Sequence, residues 1–196
     1  MPKTAPCPCH KCGQGKNECE CWRFSAAIDG FAAPFYNIGR AKSAMASFKF
    51  AGAASAAEIF AKYMAERFSS VFPEAEIDAI CYVPDSHQNR RRKGYYSAKE
   101  LAKALADIME LPLCEDILIQ VKPSRPQHSL GYKERLKNVK GIYKAGGDLK
   151  GKNIIVVDDI KTTGATINEC GRMLKKAKAN KVFGLTAVMG KNLQYF

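Results

Sequence analysis

The sequence predicts an α/β domain, a parallel or mostly parallel sheet covered by helices on both faces, with a small cysteine-rich module in front of it. Three observations predict this. Apolar strand-like runs alternate with helix-period segments through most of the 196 residues, the pattern that parallel sheets require. Apolar residues make up 46% and charged residues 26%, a balance that builds a core rather than a disordered chain. Five of the eight cysteines fall within the first 21 residues, where hardly any apolar side chain accompanies them.

Residues 7 to 21 read Cys-Pro-Cys-His-Lys-Cys-Gly-Gln-Gly-Lys-Asn-Glu-Cys-Glu-Cys. A stretch so polar cannot fold by burial and needs a cross-link. The composition shifts to Ala, Phe and Tyr near residue 26, which divides the chain into a module, 1–25, and a domain, 26–196. Within the domain, Phe31 to Tyr36 reads as a short strand. Ala57, Phe60, Met64 and Phe68 form one stripe of a helix over Ala54 to Phe68. Ile77 to Val83 is a buried-strand run ended by Pro84. Ala98, Leu101, Ala102, Leu105, Ile108 and Met109 recur at helical offsets 0, 3, 4, 7, 10 and 11. Ile117 to Val121 is another strand, followed by a cationic stretch, 122–141. Asn153 to Val157 is a β-branched strand, Ile167, Cys170, Leu174 and Ala177 mark the next helix, and Lys181 to Met189 is the last strand.

Lys and Arg number 31 against 19 Asp and Glu, a formal charge of +12. Such a surplus favours polyanionic partners, nucleic acid or phosphorylated small molecules, although solubility alone also accounts for it. No apolar run approaches the roughly 18 residues that cross a bilayer. The N-terminus lacks the apolar core of a secretory signal, so the expectation is a cytoplasmic protein without membrane insertion. Cysteines clustered at one end of a chain with its own core point to metal rather than to a disulfide scaffold.

The chemistry concentrates in Ile154-Ile155-Val156-Val157-Asp158-Asp159-Ile160-Lys161-Thr162-Thr163-Gly164-Ala165-Thr166. An apolar strand delivers two adjacent carboxylates, and a turn of small residues then opens a helix. Backbone N–H groups and the positive helix end suit a phosphate dianion, Gly164 permits close approach, and threonine hydroxyls add donors. Carboxylates touching a phosphate would repel it, so Asp158 and Asp159 fit better as acceptors for sugar hydroxyls about one ribose length away. The end of a strand is also where α/β sheets bind ligands. A 5-phosphoribosyl group satisfies all three features. Neither the Gly-x-x-x-x-Gly-Lys-Ser/Thr loop nor Gly-x-Gly-x-x-Gly occurs.

This segment resembles the signature by which type I phosphoribosyltransferases bind phosphoribosyl pyrophosphate (PRPP). Lys161, Thr162, Thr163, Gly164, Ala165 and Thr166 match its 5-phosphate turn, and Asp158 and Asp159 its catalytic acids. Tyr82-Val83-Pro84-Asp85-Ser86 stands where that family carries a pyrophosphate loop. Gln127-x-x-Leu130, Arg135-x-x-Asn138-Val139-x-Gly141 and Phe48-Lys49-Phe50-x-Gly52 are similar to the pattern of ComF-like competence proteins. The resemblance implies a type I phosphoribosyltransferase-like parallel sheet flanked by helices, with Mg²⁺ accompanying PRPP. It further implies pyrophosphate contacts from Asp85, Ser86 and Arg135, a closing loop within 122–141, and a part in DNA uptake with single-stranded DNA as partner. One departure stands out: Lys93-Gly94-Tyr95-Tyr96-Ser97 replaces the expected Arg-Gly-Phe-Asn-Gln.

Cys9-x-x-Cys12-Gly13 has the spacing of a zinc knuckle, and Cys19-x-Cys21 supplies a second pair, tighter than usual. The expectation is structural Zn²⁺ on Cys9, Cys12, Cys19 and Cys21. Cys7 and His10 are competing ligands, and metal-free reduced thiols or an iron–sulfur or redox site are the alternatives. Arg90, Arg91, Arg92 and Lys93 repel one another unless an anion or solvent screens them. Three readings stay open: a nucleic-acid grip with Tyr95 and Tyr96 for base stacking, a neutraliser of pyrophosphate, or a solvated loop. His87 and His128 read as bystanders, and Lys175, Lys176, Lys178 and Lys181 as a solvated helix end. Cys81, Cys114 and Cys170 read as small buried hydrophobes. Three functional classes follow: a PRPP-binding competence protein, an active transferase with an unidentified acceptor, and a PRPP sensor without turnover.

Overall fold

The computed structural model describes residues 3–4, 9–15, 19, 27–51, 54–84, 95–122 and 139–190. Its main sheet is wholly parallel. The strands are β1 (Gly30–Ala32), β2 (Phe35–Tyr36), β3 (Ala79–Tyr82), β6 (Asn153–Lys161) and β7 (Lys181–Met189). They are ordered β1–β7–β6–β3, with β2 pairing β7 beyond β1. The expected strand 31–36 is thus two short pieces. Pro34 has no N–H for the ladder, and the break lets the carbonyls of Ala33 and Pro34 accept from the side chain and backbone of Thr4. Residues 3–4 cap this edge, with Lys3 bridging Phe35 in antiparallel sense. At the other edge Leu113 bridges Ile80 of β3.

Side chains alternate along buried strands, and two core clusters result. Ile155 and Val157 of β6 face one layer with Ile80, Tyr82, Phe183 and Leu185. Ile154 and Val156 face the other with Cys81, Val83 and Val182. Three helices cover the first face: α1 (Gly39–Ala51), α2 (Ala54–Val71) and α3 (Ser97–Met109). The predicted stripe Ala57, Phe60, Met64, Phe68 of α2 is buried there. Fully burying Phe60, Met64 or Phe68 contributes about 1.5–3 kcal/mol each. In α3, Ala98, Leu101, Ala102 and Leu105 are buried as expected and Ala106 joins them. Ile108 lies at the margin of that stripe and is 40% exposed.

The second face carries α4 (Ala165–Lys176) and a ribbon of β4 (Leu118–Gln120) antiparallel to β5 (Tyr143–Ala145). The strand expected at 117–121 therefore lies outside the main sheet. Leu118 and Tyr143 face the core while Ile119 and Val121 are exposed. Between the ribbon's strands lies 123–138, outside the described residues. Because the five strands are parallel, the ends of β3, β6 and β7 meet along one edge of the sheet.

Candidate functional site

Strand β6 runs four residues beyond the expected Val157, because β7 continues to offer partners: Asp158 opposite Thr186, Ile160 opposite Val188, Lys161 opposite Met189. Both carboxylates therefore sit within a strand, and its period of two sends them to opposite faces. The Oδ1 of Asp158 accepts the backbone N–H of Asp159 at 2.8 Å. Asp159 turns to the face covered by α1 and α3. There the Ser97 hydroxyl donates to its Oδ2, and Lys49 Nζ lies 2.9 Å from that oxygen. Neither partner follows from the strand–turn–helix segment. Ser97 belongs to the stretch that departs from the family pattern, and Lys49 to an α1 that the sequence reading had left without an element. The recurrence of Ala41, Met45 and Phe48 at offsets 0, 4 and 7, all buried, was the signal for that helix.

The turn after β6 comprises Thr162, Thr163 and Gly164. Gly164 has φ +78°, a left-handed conformation that L side chains rarely adopt. A Cβ there would lie 3.1 Å from Lys161 Cε. The Thr163 hydroxyl accepts the N–H of Ala165 at 3.3 Å, and α4 begins there without a side-chain cap at Gly164 itself. Its first-turn N–H groups and its positive end thus face the edge where β3, β6 and β7 finish. Lys161 Nζ sits 5.0 Å over the Phe31 ring. The Lys161 carbonyl accepts the N–H of Gly190, just past β7, at 2.7 Å. Such a frame is chemically suited to an anion: a backbone turn held from both sides, a helix terminus and two flanking hydroxyl-bearing residues.

The phosphoribosyl transferase domain model matches residues 91–195, a stretch containing the paired acids, the turn and α4. The chain belongs to this phosphoribosyl transferase family. It is 27% identical over 191 residues to competence protein ComFC of Bacillus subtilis, covering 92% of this chain and 77% of that one. To competence protein F of Haemophilus influenzae it is 30% identical over 108 residues, 54% of this chain and 47% of that one. The chain thus spans about half the length of the latter and three quarters of the former. Among solved structures, the glutamine PRPP amidotransferase of Bacillus subtilis is similar at 24% identity and a TM-score of 0.44, covering 67% of this chain and 26% of that chain. The family match and the two competence relatives make this a phosphoribosyltransferase-domain chain of ComF-like type.

Asp85, Ser86, Arg90, Arg91, Arg92, Lys93 and Arg135 lie outside the described residues, as do His87, His128, Cys7 and Cys21. Tyr96, a base-stacking candidate, donates its hydroxyl to the carbonyl of Val83 and packs edge-on against Tyr82 at 5.3 Å. Tyr95 packs edge-on against Phe48 at 5.5 Å. Its hydroxyl is buried and finds no hydrogen-bond partner among the described residues. Burial and the charges of Glu100 and Asp159 push its ionisation above the ordinary phenol range. Both rings thus serve as packing for the start of α3.

The cysteine expectation is met in part. Cys9, Cys12 and Cys19 bring their sulfurs within 4.8 Å of one another. This soft thiol donor set could hold a metal ion. The Cys9 N–H donates to the Gln14 carbonyl and the Gly13 N–H to the Cys9 carbonyl, at 2.7 and 2.8 Å. Gly13 has φ +76°, and a Cβ there would meet Phe31 at 2.6 Å. His10, weighed as a ligand, packs edge-on against Phe72 at 5.6 Å instead.

Three further findings amend the sequence reading. Cys81 and Cys170 are buried as expected, their thiols pushed above the ordinary range by burial, whereas Cys114 is partly exposed. Lys175 is not simply solvated: it pairs with Asp29 at 2.7 Å. Glu169 and Arg172, which sequence reasoning missed, tie α4 to the chain returning from 123–138. Glu169 is 6% exposed and accepts the Gly141 N–H at 2.8 Å and both Nε and Nη2 of Arg172 at 2.8 and 2.6 Å. Burial opposes ionisation of Glu169, but the Arg172 and Gly141 hydrogen bonds hold its carboxyl below the ordinary range. An acid three residues before an Arg on a helix was the available signal.

Proposed function

We propose that the β6–α4 corner binds the phosphoribosyl group of PRPP or ribose 5-phosphate. The 5-phosphate rests on residues 161–166 and the ribose hydroxyls on Asp158 and Asp159. The observation that carries this is the corner itself. A glycine at φ +78° turns the chain from a carboxylate-bearing strand end into a helix N-terminus, and no plain helix cap needs the paired acids. Asp158 and Asp159 offer hard oxygen donors of the kind Mg²⁺ prefers, directly or through water, and the ion would supply charge neutralisation for a pyrophosphate. Asp85, Ser86 and Arg135 complete the reading as pyrophosphate contacts. Cys9, Cys12 and Cys19, with Cys21 as fourth ligand, suit a structural Zn²⁺.

The proposed role is DNA uptake in the cytoplasm, with single-stranded DNA as a partner of the Arg90–Lys93 run. The names of the Haemophilus and Bacillus relatives and the charge of +12 support it. No helix among the described residues is long and apolar enough to cross a membrane. Calorimetry with Mg-PRPP and with ribose 5-phosphate tests the corner. Wild type should bind and Asp158→Asn/Asp159→Asn should not; a folded wild type that gives no heat with either ligand refutes the reading. Pyrophosphate release across a panel of bases and amines then separates a transferase from a sensor.

A further inference from the structure

We propose that Lys49, in the last turn of α1, is a positioning residue of the sugar site: it orients the Asp159 carboxylate to accept from a ribose hydroxyl. The inference rests on the phosphoribosyl reading above and adds to it a residue from a separate element. Asp158 Oδ1 accepts the N–H of the next residue. Asp159 is held from outside the strand, and Lys49 Nζ and the Ser97 hydroxyl both meet the same oxygen, Oδ2. Two donors on one oxygen fix the carboxylate plane and turn Oδ1 to the ligand.

Charge explains why a cation is needed there. The Asp159 side chain is 14% exposed and that of Lys49 32%, so water stabilises the carboxylate only in part. A phosphate dianion bound at the turn would repel an uncompensated Asp159 carboxylate. Lys49 supplies the opposite charge at 2.9 Å. Its own placement is firm, because Phe48 beside it is buried against Phe60 and Tyr95 at 5.8 and 5.5 Å between ring centres. The hydroxyl-bearing Ser97, at the first residue of α3, completes the clamp. The Phe48 ring therefore anchors the helix end so that the lysine reaches the strand.

The test is a cycle between protein and ligand, run by calorimetry on the full chain in EDTA, with melting curves recorded for each variant. The ligands are ribose 5-phosphate and its 2,3-dideoxy analogue, which keeps the phosphate and lacks both hydroxyls. Lys49→Met should weaken ribose 5-phosphate about tenfold, as expected for a hydrogen bond to a charged group, and the dideoxy analogue by less than about threefold. Lys49→Arg, which keeps the charge, should stay within about threefold of wild type for both. Ser97→Ala should show the same selective loss in milder form and serves if Lys49→Met does not fold. Loss of both ligands in equal measure, no loss of either, or a Lys49→Arg as defective as Lys49→Met overturns the role of Lys49 while the site itself stands. Wild type binding neither ligand refutes the underlying site instead.

Discussion

Gly164 and Glu169 lie five residues apart on the β6–α4 segment and show how single side chains set the geometry of the corner. Alanine at 164 must adopt φ +78°, which costs roughly 1–2 kcal/mol for an L-residue. The steric part is mild, since the new Cβ meets only the far end of the Lys161 side chain at 3.1 Å. Gly164→Ala should therefore lower unfolding free energy by about 1–2 kcal/mol in urea titrations and weaken ribose 5-phosphate, because the strain falls on the turn proposed to hold the phosphate. Glu169 makes a pH prediction. Its carboxyl is held below the ordinary value of 4.5 in the folded chain, with burial opposing and the Arg172 and Gly141 hydrogen bonds prevailing. A lowered folded pKa gives stability that is fully present above the unfolded value and is lost as pH falls through the folded one. Wild type should thus lose stability on acidification below about pH 4.5 more steeply than Glu169→Gln, measured as melting temperature against pH. Equal slopes would mean that the Arg172 contact does not outweigh burial.

At the scale of elements, the Cys9–Gln14 segment is joined to the β6–α4 turn through a chain of hydrogen bonds. The Gln14 carbonyl accepts from Cys9, the Gln14 side-chain amide donates to the Gly190 carbonyl at 2.9 Å, and the Gly190 N–H donates to the Lys161 carbonyl. Gln14 is 3% exposed, so losing these bonds leaves buried polar groups unmet. Metal analysis should find about one zinc per chain. Stripping it with a chelator, or replacing Cys12 with Ser, should lower the melting temperature and weaken ribose 5-phosphate together. An unchanged melting curve on a metal-free chain would contradict the proposed knuckle. The sequence made the grouping of Cys9, Cys12 and Cys19, along with β6, α3 and α4, legible because spacing and periodicity are local properties. It did not reveal α1, whose Ala, Ser and Lys content makes its apolar stripe faint, nor β5, three residues long and defined only by its pairing with β4. The partners of Asp159 were hidden for a related reason. Lys49 and Ser97 lie 110 and 62 residues before it, and only packing of α1 and α3 on one sheet face brings them together.

For the molecule as a whole, the question is whether its charge of +12 acts in one place or is spread over the surface. The described site is balanced, with Lys49 facing Asp159 and Lys161 beside the turn, so the β6–α4 corner by itself accounts for little of the surplus. If Arg90–Lys93 grips a nucleic-acid backbone, binding of a single-stranded oligonucleotide should weaken steeply with salt, because each neutralised phosphate releases counterions. The slope of log affinity against log salt is about 0.7 per contact for single strands, so replacing the four cations with Ser should flatten it by up to about 3. Replacing Lys175, Lys176, Lys178 and Lys181 instead removes the same formal charge from α4 and the start of β7, where Lys175 already pairs with Asp29. A localised grip predicts a large change for the first set and a small one for the second. Equal changes would show that only net charge attracts the strand, and would leave the Arg90–Lys93 run free to serve pyrophosphate. Competition decides between those last two uses: a run that neutralises pyrophosphate makes Mg-PRPP displace the oligonucleotide, whereas a separate grip lets both bind at once.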